Sequence, residues 1–446
     1  MSAALLDALL LAGGYNAIVV ALGCAAFGLA AGSLGCFVLL RGRALVADAA
    51  AHATLPGVAL AFILTALLGG DVRSLPLLLT GGAASASLGV LAVGALTRGG
   101  RLRDDAAMAL VLSISFGLGV VLLSVVQSLP VGGQAGLKGF ILGQAAGMSA
   151  FDAQLIGALA LLAVLLLAAL FRPLAVLCFD REFAAAVGLP VRLLDLALMG
   201  LMLAVTVAGL RAVGLVLVVG LMVIPAATAR LATERLAVMV LLAGLLGAFA
   251  AWLGAGLSAT LPGLPTGATI VLVACALFVL TLVFAPRRGV LAFAWRQAQL
   301  SLVTARDHAL RTAFEARESE APGQLAAWAE LGRGAGWSAW QRALLPWWVR
   351  QAGLATTEAA GGVALTPAGL ALARDLTRRH RLWEHYLQSA GGLPPGTAHH
   401  AADEVEHTLP PEVAREAEAW LRRHDPDRLG PVDGLPPPGE TGMKRP

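Results

Sequence analysis

The chain has 446 residues, 58% of them hydrophobic and only 13% charged, with a mean hydropathy of +0.78. A soluble globular protein carries roughly twice that share of charge, which excludes a wholly water-soluble protein. The net charge of +4 is unevenly built: residues 1–290 hold 15 Lys/Arg and 10 Asp/Glu, whereas residues 291–446 hold 17 and 18. The first part therefore reads as membrane protein and the second as near-neutral soluble protein.

The first apolar stretch runs on to spanning length and lacks a basic leader, so a cleavable signal peptide is not expected. Crossing about 30 Å of hydrocarbon takes ~17–25 residues per helix. About nine runs qualify: 17–40, 50–69, 75–96, 106–128, 152–171, 193–210, 212–229, 236–256 and 267–285. Arg41/Arg43, Arg98/Arg101/Arg103, Arg172/Arg181/Arg192, Arg230/Arg235 and Arg287/Arg288 fall in alternate connections, which the positive-inside rule puts in the cytoplasm. The N-terminus is then outside and the tail inside, and 193–229 is short enough to hold one crossing plus a broken helix. Small residues, as in Gly28-Leu-Ala-Ala-Gly32 and Gly81-Gly-Ala-Ala-Ser85, predict close helix packing. The loop 129–150, with Pro130, several glycines and Lys138, is expected outside.

Asp48-Ala-Ala-Ala-His52 opens the second run, followed by Thr54-Leu-Pro56-Gly57. Four-residue spacing puts carboxylate and imidazole on one helix face, and Pro56 takes away the hydrogen-bond partner of the His52 carbonyl. The pair suits Mn²⁺, Zn²⁺ or Fe²⁺. From the residues alone it reads equally as a capping Asp beside a hydrogen-bonded histidine. Between runs five and six, Cys178 to Pro190 forms a short amphipathic helix with Phe179 and Phe183 four apart, closed by Gly188 and Pro190. Such a helix lies on the membrane or docks into a partner.

The four cysteines, Cys24, Cys36, Cys178 and Cys275, show no paired spacing, which predicts apolar packing rather than a disulfide framework or zinc finger. The only lysines are Lys138 and Lys444, and neither follows a glycine. The Gly-Lys-Ser/Thr cradle of a P-loop is therefore missing. This chain is expected to bind no nucleotide and to be no enzyme.

After Trp295 helical patterns cover 297–318, 323–332, 337–352, 366–389, 398–409 and 411–424, with a hairpin over Gly353–Leu365 turning at Gly361-Gly362. Three helices followed by a β-wing is winged-helix order. Residues 429–446 are Pro/Gly-rich and read as disordered. Seven of the eight histidines lie after Val290. Glu384 follows His380 by four, and His399, Asp403, Glu406 and His407 share another helix face. Six N/O ligands without a thiolate favour Mn²⁺ or Fe²⁺ over structural Zn²⁺. The presumed recognition helix, Trp337 to Arg350, is aromatic, carries two arginines and contains Pro346, which is expected to cut it. DNA binding relies on phosphate neutralisation by Lys/Arg, so DNA is not an expected partner.

The stretch Gly35–Ala59, the Phe179–Pro190 loop, Val223-Ile-Pro225-Ala-Ala-Thr-Ala-Arg230, Pro265-Thr-Gly-Ala268 and Phe284-Ala-Pro-Arg-Arg-Gly289 closely resemble the manganese/zinc/iron ABC-importer permease family over about residues 15–290. The resemblance implies a type II importer-like, all-α polytopic fold in the bacterial inner membrane. It also implies a second permease subunit (an identical copy or a paralogue), an external or periplasmic metal-binding protein and cytoplasmic ABC ATPase subunits. Asp48 and His52 would line the metal path, and Phe179, Asp180, Glu182, Phe183 and Gly188 would couple to the ATPase. Ala51 stands where the family often has Ser, at the cost of one hydroxyl near the histidine.

The segments Leu365-Thr-Pro-Ala-Gly369, Arg378-Arg-His380-Arg-Leu-Trp-Glu384-His-Tyr-Leu387 and Glu406-His407 resemble the iron- and manganese-dependent repressors of the diphtheria-toxin-repressor type. The resemblance implies one metal site from His380, Glu384 and His399 and a neighbouring one from Asp403, Glu406 and His407. Asp307 matches an acidic ligand position in the family's first helix, but the next ligand position is Leu310. The expected organisation is a permease domain at 1–290, a cytoplasmic winged-helix and metal-binding domain at 296–428 and a disordered tail at 429–446. The expected function is ATP-driven import of a divalent transition metal, Mn²⁺ favoured and Zn²⁺ or Fe²⁺ as alternatives, with a metal-sensing C-terminal domain. A membrane-tethered, metal-responsive transcription regulator is the second reading, and a secondary transporter or channel working alone the third.

Overall fold

The computed structural model describes residues 14–70, 74–97, 102–129, 147–261, 263–318, 327–328, 331–332, 336–357, 362–405 and 410–425. Most of the expected outer loop 129–150, the turn glycine Gly361, most of the expected helix 323–332 and the terminal segment 429–446 lie outside these residues. The chain divides into two compact units, Met1–Phe293 and Ala294–Pro446.

The first unit is helical. Its elements are α1 (Tyr15–Leu40), α2 (Ala44–Leu67), α3 (Leu75–Thr97), α4 (Asp104–Ser128), α5 (Ala150–Ala169), α6 (Phe171–Phe179), α7 (Arg181–Ala186), α8 (Val191–Val213), α9 (Leu215–Ala232), α10 (Leu236–Thr260) and α11 (Thr266–Phe284). Among the described residues eight helices are long and apolar enough to cross a membrane, and part of α9 forms a shorter apolar ninth. Of the nine expected crossings, the run at 212–229 is the one that falls short of spanning length. Gly214, at φ 79°, separates α8 from α9, a left-handed backbone that glycine adopts without a Cβ penalty.

α1 lies at the centre of this unit, and α10, α5, α9 and α8 pack against it. The small residues explain how. A Cβ on Gly28 would collide with the Gly247 carbonyl, and one on Gly32 with the carbonyl of Ala243. Backbone meets backbone there, the close approach that small residues permit in lipid. The expected stripe at Gly28–Gly32 is therefore a packing surface. α2 packs in the same way on α3, through Gly57 and Gly81, and on α4, where Gly119 faces Leu55 and Pro56.

The second unit begins with most of α12 (Val290–Glu318), followed by α13 (Ala339–Gln351), β1 (Ala355–Thr357), β2 (Val363–Leu365), α14 (Pro367–Ser389), α15 (Pro395–Val405) and α16 (Pro411–His424). β1 and β2 pair antiparallel with Ala355 opposite Leu365, the expected wing. Leu310, Phe314, Leu345, Val349, Leu354, Val363 and Ala373 form its core. α14 starts sharply because the Thr366 hydroxyl accepts from the Gly369 N–H at 3.1 Å and Pro367 follows it. Pro346 does not cut α13, contrary to expectation: the helix runs through it to Gln351. A capping box between Ser338 and Gln341 fixes its start, and buried Leu345 and Val349 hold it on the core across the lost hydrogen bond.

Candidate functional site

Asp48 and His52 lie one turn apart on α2, with His52 Nε2 3.6 Å from Asp48 Oδ1. Both side chains are partly buried, and the imidazole meets the edge of Phe116 on α4 at 5.3 Å between ring centroids. His52 Nδ1 is buried with no hydrogen-bond partner among the described residues. Leaving such a group unmatched costs about 1–3 kcal/mol, so the arrangement asks for a ligand. The carbonyl of His52 faces Pro56, which has no N–H to give it. The carboxylate and the imidazole form a donor pair of the kind that suits a divalent transition metal.

α7 is only six residues long. Asp180 caps it by accepting from the Phe183 N–H at 2.9 Å, and Gly188 ends it at φ 81°. Phe179, Phe183 and Val187 are more than half exposed, and Glu182 is exposed beside them. The roles divide accordingly: Asp180 and Gly188 shape the turn, while Phe179 and Phe183 present an apolar face.

Asp195, at the start of α8, is an acid that sequence spacing does not single out. Here it is 8% exposed and gathers three arginines. Arg41 Nη2 donates to Oδ1 at 2.9 Å, Arg181 Nη2 lies 3.4 Å from Oδ2 and Arg43 Nη1 3.9 Å from Oδ1. Arg41 also donates to the Leu177 carbonyl at 3.2 Å. One carboxylate thus ties α7, through Arg181, to the turn that opens α2, through Arg41 and Arg43. A lone acid beside a cytoplasmic-type arginine run was the available signal, but its partners are up to 154 positions away. Near this cluster, burial pushes the Cys178 thiol up to about 11, with Asp195 adding to the shift and Arg41 opposing it.

In the second unit α14 and α15 bring His380, Glu384 and His399 together, with one ligand atom from each within 4.8 Å of the others. His380 Nε2 is 3.0 Å from His399 Nδ1. Glu384 Oε2 is 3.6 Å from the former and 3.4 Å from the latter. His380 is fixed in place, being 1% exposed, and Gln388 donates to Glu384 Oε1 at 3.2 Å. Two imidazoles and a carboxylate converging on one point fit a divalent transition metal.

The second expected set is different. Asp403 is paired with Arg311 of α12, whose Nη2 lies 2.8 Å from Asp403 Oδ1 while Nη1 lies 2.8 Å from His380 Nδ1. A guanidinium only donates, so here His380 Nδ1 accepts and the ring proton sits on Nε2, toward His399 Nδ1; Nε2 could hold a metal ion only after that proton has moved. Burial raises the Asp403 carboxyl, but the Arg311 hydrogen bond and charge, with His380 and His399, outweigh it and hold the group below the usual carboxylate range. Glu406 and His407 lie outside the described residues. Asp307 is held by Arg306 Nη2 and Nε at 2.6 and 2.8 Å, and Leu310 is core.

The profile of the ABC 3 transport family matches residues 15–285, and that of the iron dependent repressor, metal binding and dimerisation domain matches residues 366–428. The manganese transport system membrane protein MntC of Bacillus subtilis is 38% identical over 291 residues, 65% of this chain and 66% of that protein. The zinc transport system membrane protein TroC of Treponema pallidum is 37% identical over 65% of this chain and 95% of its own length. Among solved structures, PsaBC from Streptococcus pneumoniae in complex with Fab superposes with a TM-score of 0.54 at 29% identity, covering 65% of this chain and 98% of that one.

Proposed function

The chain belongs to the ABC 3 transport family, and from that premise we propose that it is the permease subunit of an ATP-driven importer for a divalent transition metal, with a metal-sensing C-terminal domain. Mn²⁺ is the favoured cargo, as the B. subtilis relative is named for manganese. Zn²⁺, named for the T. pallidum relative, and Fe²⁺ suit the same donors. The observation that carries the reading is the Asp48–His52 pair on an apolar helix with an unmatched buried ring nitrogen. An ionisable pair in a membrane helix is costly unless it serves a path or a partner.

The membrane is the bacterial inner membrane, with the tail in the cytoplasm. ATP is hydrolysed by separate ATPase subunits that receive Phe179 and Phe183, and an external metal-binding protein delivers the ion to a pair of permease subunits. In the tail, His380, Glu384 and His399 take up cytoplasmic metal and report it to transport as feedback. The exposed face of α13 carries Trp340, Leu344 and Trp347, which supports a protein contact over phosphate binding and argues against a tethered transcription regulator.

Radiolabelled Mn²⁺ uptake by the full complex tests the first part: His52→Ala should abolish it with the complex still assembled. Uptake at high internal Mn²⁺ with and without residues 296–446 tests the second. Identical inhibition curves would sink the sensing role.

A further inference from the structure

α5 and α8 both pack on α1, and the three helices enclose a slot of about 320 Å³. Phe27 of α1, Ala160, Ala163 and Leu166 of α5, and Gly200 and Ala204 of α8 are among its lining, in which no side chain is polar. The lining runs from Ile156 to Leu166 within α5 and from Ala197 to Ala208 within α8. At the helical rise that is about 15–17 Å along each helix. Small residues keep the slot open: a Cβ on Gly200 would meet nothing within 4 Å. Leu159, Leu162 and Leu166 at its edge are 40%, 53% and 42% exposed. Since α5 and α8 are both long and apolar enough to cross a membrane, the slot opens toward hydrocarbon. It shares no helix with Asp48, His52 and Phe116, which lie on α2 and α4.

We propose that this slot is a binding site for one acyl chain of a membrane phospholipid, held as a fixed part of the permease. Apolar space of this size is costly to leave unfilled, and its lining denies water the polar partners it needs. The length is about half of the ~30 Å hydrocarbon layer, the depth of one leaflet. Volume over length gives a section of about 20 Å², wide enough for one hydrocarbon chain and far too narrow for a helix about 10 Å across. The occupant is therefore a chain from the bilayer rather than a helix of a second subunit. Seated there, it spaces α5 from α8, the two helices between which α6 and α7 run.

Native mass spectrometry of the full complex, extracted in dodecyl maltoside and washed with excess detergent, reads the lipid directly. The wild type should keep one phospholipid per permease chain. Gly200→Leu and Ala204→Phe, which fill the slot, should each lose it, whereas Leu165→Phe, exposed on α5 outside the lining, should keep it. Gly200→Leu carries the test if Ala204→Phe does not fold, because its side chain enters open space. Added phosphatidylglycerol should raise the melting temperature of delipidated wild type and leave that of Gly200→Leu unchanged. A wild type stripped of phospholipid by washing, filled-slot variants that keep theirs, or equal loss from Leu165→Phe would each overturn the site. So would a chain-to-chain disulfide through Leu162→Cys in a chain whose native cysteines are replaced by Ala, since it would put a second permease subunit over the slot.

Discussion

Arg41 and Asp195, 154 positions apart in the chain, meet at 2.9 Å with side chains only 12% and 11% exposed. Breaking such a pair from one side leaves a buried charge alone and costs about 3–5 kcal/mol. Asp195→Asn is therefore expected to lower the melting temperature of the detergent-purified complex by several degrees. Arg181 is 57% exposed, and losing its contribution costs about 1 kcal/mol or less. Arg181→Ala should therefore leave the melt nearly unchanged yet loosen α7 from α2, lowering Mn²⁺ transported per ATP hydrolysed. An unchanged ratio would remove the cluster from the coupling path.

Asp48→Ala and His52→Ala should each reduce initial Mn²⁺ uptake at least tenfold, a change of about 1.4 kcal/mol or more in the transport barrier. Phe116→Leu, which removes only the ring beside His52, should act more weakly. Uptake by cells expressing the complex, normalised to permease in the membrane, makes the comparison.

Phe183 is 56% exposed, so Phe183→Ala is expected to change permease stability by about 0.5 kcal/mol or less. The same substitution should sharply reduce copurification of the ATPase subunit. Paired measurement of melting and pull-down yield separates docking from folding, and normal pull-down would exclude Phe183 as a docking residue.

Cys178 offers a reporter beside the same cluster. With its thiol pushed up to about 11 by burial, the thiolate that reacts with alkylating reagents is scarce at neutral pH. In a chain whose other three cysteines are replaced by Ala, labelling at pH 7.5 should be slow and should accelerate as pH rises toward that value. Asp195→Asn removes a charge that raises the pKa, so it should speed labelling at fixed pH.

Local spacing carried much of this molecule. The i,i+4 pair at Asp48 and His52, the cap and turn around α7, the wing, and the His380–Glu384 face all follow from residues a few positions apart. The helix bundle was legible for the same reason, since apolar length needs no tertiary knowledge. Sequence spacing could not reveal contacts closed over long loops. Arg41 and Arg181 served in sequence only as orientation charges, and Arg311 is 69 positions from His380. Pro346 misled because local propensity says nothing of the packing by Leu345 and Val349 that carries α13 across it. The same limit applies to the second metal set: spacing aligned Asp403 with ligand positions, but it could not show which cation already faced the carboxylate.

The backbone contact of Gly28 with Gly247 is also a mechanical statement. Two helices packed so closely that a Cβ would strike the facing carbonyl have little side-chain layer between them, and α1 and α10 are expected to move together. On the proposed transport reading, movement between helices is expected elsewhere, and the break between α8 and α9, where Gly214 sits at φ 79°, is the place to test. A covalent bridge between α1 and α10 should therefore leave uptake intact, while stiffening that glycine should stall it.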